Sequence, residues 1–304
     1  KAIRRQRQMC IRDRPNTPQK PVAAKSAKTQ GEHKVRGIKN AFLVIVCCAV
    51  VAVCLFLFLF GNPSHFDTTL TGSSVAFLDN PEGHWKPTDL IGTVFMGGVI
   101  VPVLQTLFLT VIVLSVERAI ALSSAKGTGS ISKFVENVKA SLQKGDIKKA
   151  QELCRKQKGS VAAVVAAALT KYDEMDKNET LTKEQKLTSL QQAVEEATAL
   201  EMPSLQQNLP IVATMTTLGT LVGLLGTVLG MIKSFQALGA GGGSVDSMEL
   251  SIGISEALVN TAFGIATGAC AVISYNFFTN KIDNLTYAID EIGFSIVQTF
   301  AATH

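Results

Sequence analysis

Charge is what this 304-residue sequence has least of: Asp, Glu, Lys and Arg make up 17% of it, against about 25% in an average soluble domain. The gaps are concentrated. No ionised side chain occurs between Ala41 and Phe60, between Leu90 and Val116, or between Met202 and Ile232, and Glu256 stands alone between Leu250 and Asn280. A membrane-spanning helix needs about 20 apolar residues to cross about 30 Å of hydrocarbon, and each stretch is long enough. With 47% hydrophobic residues and a mean hydropathy of +0.27, the sequence predicts an all-α polytopic membrane protein with four transmembrane helices and a cytoplasmic helical extension. A soluble enzyme fold is excluded.

Other absences narrow the chemistry. His33, His65, His84 and His304 all lie outside the apolar stretches, which excludes an intramembrane histidine relay and leaves no metal centre to expect. Cys47, Cys48, Cys54 and Cys270 lie at lipid depth, Cys154 in the inner region and Cys10 in the N-terminal tail. Neither outward loop holds a cysteine, so a disulfide-stapled exterior is not supported. There is no phosphate-binding or dinucleotide fingerprint and no set of nucleophile, base and orienting group. The chain is not expected to be an enzyme or to carry a cofactor.

The charges that are present segregate. Residues 1–39 hold twelve Lys or Arg against two acids, and the stretch from Glu117 to Glu201 holds fourteen against twelve. From Gly61 to Asp89 there are four acids and only Lys86. Cationic flanks stay cytoplasmic, so both termini are expected on the cytoplasmic side. The basic tail then reads as facing membrane lipid rather than nucleic acid.

Segment boundaries follow. Residues 1–37 read as a disordered basic tail, of which 1–14 resemble appended sequence, and 38–61 as the first transmembrane helix. Residues 62–89 form an outward loop, with Trp85 at the interface. The remaining spans are expected at about 90–116, 209–236 and 251–279, with a cytoplasmic helical region at about 117–208 and a C-terminal tail at 286–304. Within that region Gly145 stops a helix and Asp146 caps the next. The apolar run 161–169 is too short to span, and Thr182 with Gln185 makes a capping box. Pro203 and Pro210 mark kinks or turns, and the glycine run at 239–243 ends the third span.

The third and fourth spans carry the chemistry. Gly219, Gly223, Gly226 and Gly230 recur every three or four residues, the spacing that lets helix backbones approach closely in lipid. Thr220, Thr227 and Ser234 lie seven apart and share a face. In the fourth span Glu256, Asn260, Gly264, Thr267 and Ser274 fall in one sector, with Thr261 adjacent and Gly268 one turn beyond Gly264. A carboxylate at this depth is expensive unless it faces a bundle interior or water. A proton-exchanging group there fits an ion path, and a hydrogen-bonded structural carboxyl is the plain alternative. For the threonines the plain reading is a hydroxyl bonded back to its own helix. No second carboxylate and no Lys, Arg or His is expected buried beside Glu256, so any further titrating group must come from another chain.

Gly223-Leu224-Leu225-Gly226-Thr227-Val228-Leu229-Gly230-Met231-Ile232, with Gly253-Ile254-Ser255-Glu256-Ala257-Leu258, Thr261-Ala262, Gly264 and Tyr275-Asn276, resembles the MotA/TolQ/ExbB proton-channel family, nearest its ExbB branch. Glu117-Arg118 and Gly145-Asp146 also match that branch, and the likeness covers about residues 85–285. The resemblance implies a bacterial inner-membrane homo-oligomer, commonly a pentamer, whose last two helices line a central pore. It implies an ExbD-like single-span partner that brings an Asp, and a TonB-like protein that receives the work. Thr227, Glu256 and Thr261 would line the ion path with Asn260, Thr220 and Thr267. Gly219, Gly223, Gly226, Gly230, Gly264 and Gly268 would pack the helices, and Glu117 and Arg118 would meet a cytoplasmic partner. The sequence departs from the family where Gly219-Thr220 replaces Ala-Pro, where Cys270 replaces Pro, and in having an additional first span. A TolQ-like or MotA-like stator and a non-conducting scaffold remain as other readings, and a secondary transporter is a weaker one, since no inverted repeat is evident.

Overall fold

The computed structural model describes residues 40–66, 87–240 and 247–303. The expectations for the tail at 1–37, for Trp85 and most of the outward loop, and for the glycines at 241–243 lie outside the described residues. Among the described residues there is no strand; one antiparallel bridge joins Phe66 to Pro87. Four helices are long and apolar enough to cross a membrane, over Ala41–Phe60, Ile100–Gln143, Leu209–Gln236 and Leu250–Thr303.

Helix α1, Ala41–Cys54, continues as a π-helical segment, Leu55–Phe60. This additional first span packs against the next one: Val44 and Cys48 join Val111 and Leu114 in one apolar cluster, and Phe56 stacks on Phe95 at 4.8 Å. The second span is not continuous from residue 90. Helix α2, Leu90–Phe95, stops, residues 96–99 turn, and α3, Ile100–Lys126, begins. Gly98 at φ +71° makes the break, a backbone region that costs glycine little. Asp89 caps α2, its Oδ1 accepting from the Gly92 amide at 2.9 Å and its Oδ2 meeting His65 Nδ1 at 2.7 Å. That amide first, and then His65, hold the Asp89 carboxyl below the usual carboxylate range.

At 27 residues, α3 is about 40 Å long, enough to cross and project beyond the bilayer. The projecting part joins α4 (Ile131–Gln143), α5 (Ile147–Gln157), α6 (Gly159–Asp176) and α7 (Lys183–Gln206) in a helical extension. Its local signals act as the sequence indicates. Gly145 at φ +69° separates α4 from α5, Asp146 Oδ1 accepts from the Lys149 amide at 2.9 Å, and Thr182 with Gln185 closes a capping box. Val161, Val164, Val165 and Leu169 are buried in the extension rather than spanning anything. Pro203 lies inside α7, whose last turn ends at Gln206.

The chain then breaks rather than feeding straight into the third span. Asn208 stands at φ +63° and α8, Leu209–Ala240, starts afresh. Pro210 sits in its first turn, where a missing N–H loses no helical bond. Helix α9, Ser247–Thr303, is one rod of 57 residues, about 85 Å. Its first half pairs antiparallel with α8. Its second half buries Ile289, Ile292, Ile296 and Phe300 in the core of the extension, and Lys139 of α4 bonds Glu291 of α9 at 2.6 Å. Both α8 and α9 run unbroken through Gly219-Thr220 and Cys270, the positions where the family often has proline.

Candidate functional site

The α8–α9 seam is built on glycine. A methyl group on Gly226 would meet Asn260 Cγ at 2.7 Å, one on Gly230 the Gly253 carbonyl at 2.7 Å, and one on Gly264 the Gly223 Cα at 2.8 Å. A methyl on Gly219 would come 3.1 Å from the Gly264 carbonyl, and one on Gly268 3.0 Å from the Thr216 carbonyl. All six glycines expected to pack helices lie on this seam. Backbones this close gain dispersion contacts without a lipid-exposed polar cost.

Polar groups follow the seam in layers. Thr227 of α8 and Thr261 of α9 meet hydroxyl to hydroxyl. Each hydroxyl also reaches the carbonyl one turn earlier in its own helix, Thr227 to Gly223 at 3.2 Å and Thr261 to Ala257 at 3.1 Å. Five residues earlier on α9, about 7.5 Å along the axis, Glu256 is buried among α8, α9 and the 96–99 turn. A methyl on Gly98 would strike its carboxylate. In the other direction Thr220 is exposed and bonds the Thr217 carbonyl of its own helix at 2.9 Å.

Glu256 has a partner that sequence reasoning missed. Lys233 Nζ donates to Oε1 at 2.9 Å and to Oε2 at 2.8 Å; the carboxylate side chain is 6% exposed and the lysine 58%. The lysine is exposed rather than buried, so α8 itself supplies the countercharge at the rim of the seam, a pairing not expected from the sequence. A signal existed: in an antiparallel pair, Lys233 and Glu256 stand at nearly equal distances on either side of the connection at 241–246.

Two expected path residues are placed elsewhere. Asn260 is fully buried under Gly226 and donates from Nδ2 to the Gly97 carbonyl at 3.0 Å. Thr267 is fully buried and donates to its own helix at Phe263, 2.8 Å away. Neither side chain has surface to turn towards a central space, because close glycine packing leaves none. Asn260 instead clamps α9 to α8 and to the α2–α3 break.

Glu117 and Arg118, expected to meet a cytoplasmic partner, are also buried. Arg118 Nε and Nη2 donate to the Glu117 carboxylate at 2.7 and 2.5 Å, and Nη1 reaches the carbonyls of Ser204 and Leu205, each at 3.4 Å. Asn208 Nδ2 reaches Glu117 Oε2 at 3.4 Å. The pair therefore binds α3 to the end of α7 and the start of α8. A bidentate guanidinium fits here because the exposed carbonyls of a helix end need donors.

The model of the MotA/TolQ/ExbB proton channel family matches residues 156–291, which take in Thr227, Lys233, Glu256 and Thr261 but not α1 or Glu117-Arg118. The biopolymer transport protein ExbB of Helicobacter pylori is 39% identical over 82 residues, 27% of this chain and 56% of that protein. ExbB of Aquifex aeolicus is 38% identical over 78 residues, 26% of this chain and 52% of that protein. The Tol-Pal system protein TolQ of Haemophilus influenzae is 34% identical over 83 residues, 27% of this chain and 36% of that protein. The chain thus spans about half the length of the ExbB relatives it matches.

Proposed function

Because this chain belongs to the MotA/TolQ/ExbB proton channel family, we propose that it is an inner-membrane stator subunit coupling proton flow to TonB-dependent transport across the outer membrane. It works as a homo-oligomer, with a pentamer the expected state, around an ExbD-like single-span partner, and passes work to a TonB-like protein. Both termini lie in the cytoplasm.

The observation that carries the reading is Glu256, a buried carboxyl one layer from the Thr227–Thr261 hydroxyl pair on a tightly packed seam. A buried ionisable group in a span marks an ion pathway by default. Glu256 takes up and releases the proton. The paired hydroxyls, each both donor and acceptor, pass hydrogen bonds along the seam, and Thr220 carries the line to an exposed surface. The glycine contacts keep α8 and α9 rigid while a partner helix moves past. In cells, Glu256→Gln is expected to abolish TonB-dependent uptake while the complex still assembles. Normal uptake in that variant overturns the proton-path role.

A TolQ-like role in envelope maintenance is the second reading, favoured by the match to TolQ. A defect in outer-membrane integrity on deletion, with uptake intact, selects it.

A further inference from the structure

Glu256 is held between two unlike walls. One is backbone: Gly98, at φ +71°, lies so near that a methyl there would come within 3.0 Å of the carboxyl carbon. That wall is fixed by a left-handed turn which a side chain would strain. The other is the tip of Lys233, an exposed, flexible four-carbon side chain whose ammonium covers both carboxylate oxygens. Among the described residues it is the charged group bonded to this carboxylate.

We propose that Lys233 is a movable lid on Glu256: the ion pair is the closed state, and the ammonium swings away before the carboxyl exchanges a proton. This rests on the reading of Glu256 as part of an ion path. Charge balance identifies what opens the lid. The closed pair is neutral, and removing the ammonium alone leaves a bare carboxylate buried, which is strongly unfavourable. A carboxylate carried by a partner helix removes that penalty. The ammonium has three N–H donors and uses two on Glu256, so an incoming acid engages the third and draws the ammonium across. Glu256 then binds one proton. Two carboxyl groups, one ammonium and one proton are again neutral, so docking of a partner's acid and protonation of Glu256 become one event.

The lid is tested without a partner and without flux. The full chain, reconstituted in lipid vesicles, is treated with dicyclohexylcarbodiimide, which modifies protonated carboxyls in apolar surroundings, and the adduct at Glu256 is followed by mass spectrometry. Lys233→Met is expected to react roughly tenfold faster or more than the unaltered chain, because an unpaired buried carboxylate takes a proton. Lys233→Arg, which keeps the charge, is expected to stay near the unaltered rate. Lys233→Gln gives the same reading where Met disturbs folding, with alkylation of Cys154 reporting whether the extension remains closed. Equal rates in the unaltered and neutral-side-chain variants overturn the lid, as does an arginine variant that reacts as fast as the methionine one. Such a result leaves the path reading standing, whereas undiminished uptake in Glu256→Gln removes the path reading itself, and the lid with it, whatever the labelling rates.

Discussion

Thr227 and Thr261 meet hydroxyl to hydroxyl across the α8–α9 seam, and with one proton apiece one donates to the other while the second donates to the carbonyl one turn back in its own helix. The pair is therefore one unit: removing either hydroxyl leaves the other with only its intrahelical acceptor. Thr227→Val and Thr261→Val, which keep shape, are each expected to cut proton flux in vesicles by about an order of magnitude. The double variant is expected to lose little more, because groups acting as a unit are not additive. Additive losses would separate the two hydroxyls.

Gly226 lies under Asn260, where a methyl would sit 2.7 Å from Cγ. Gly226→Ala is expected to destabilise the protein by about 1–3 kcal/mol through overpacking, with Gly226→Leu failing to assemble. Thermal unfolding in detergent checks the first and size-exclusion chromatography the second. An alanine variant as stable as the original would mean that the seam is looser than these distances.

Breaking the Glu117–Arg118 pair leaves a buried charge. Arg118→Ala is expected to cost about 3–5 kcal/mol, and replacing both residues by leucine or methionine much less. Comparing unfolding midpoints of the single and double variants decides it. A mild single variant, stable but defective with its partner, would restore the partner-contact role.

Cys154 is buried in the extension, and burial pushes its thiol up to about 12. The reactive thiolate is therefore scarce at neutral pH. Iodoacetamide at pH 8 is expected to leave Cys154 unmodified in the folded protein and to modify it readily after denaturation, as read by peptide mass spectrometry. Rapid modification of the folded chain would mean that α5 and α6 open easily.

Local signals made much of this molecule legible from sequence. Hydropathy marks four spans because a bilayer imposes one length and one solvent. Gly145, Asp146 and Thr182 with Gln185 act within one turn of themselves, and the glycine repeats of α8 fix its packing face. What sequence did not reveal is pairing between distant segments. Gly97 and Gly98 lie within an apolar run that reads as one span at about 90–116, yet the chain breaks there, with Gly98 at φ +71°. Lys233 stands just past a charge-free stretch, and its value depends on which residue α9 brings opposite. Asn260 shares a helical sector with Glu256 and Thr267, but a sector does not say which neighbour covers it; here Asn260 is fully buried, with Gly226 of α8 against it and its amide on the Gly97 carbonyl.

The central claim is that protons cross by way of Glu256, and the direct measurement is proton flux into vesicles holding the purified chain with its single-span partner, under an imposed pH gradient. The unaltered complex is expected to conduct, and Glu256→Gln, purified at the same size and stability, to fall to the level of empty vesicles. Equal flux from the two would contradict the account and leave a scaffold whose buried acid serves only to bind α9 to α8.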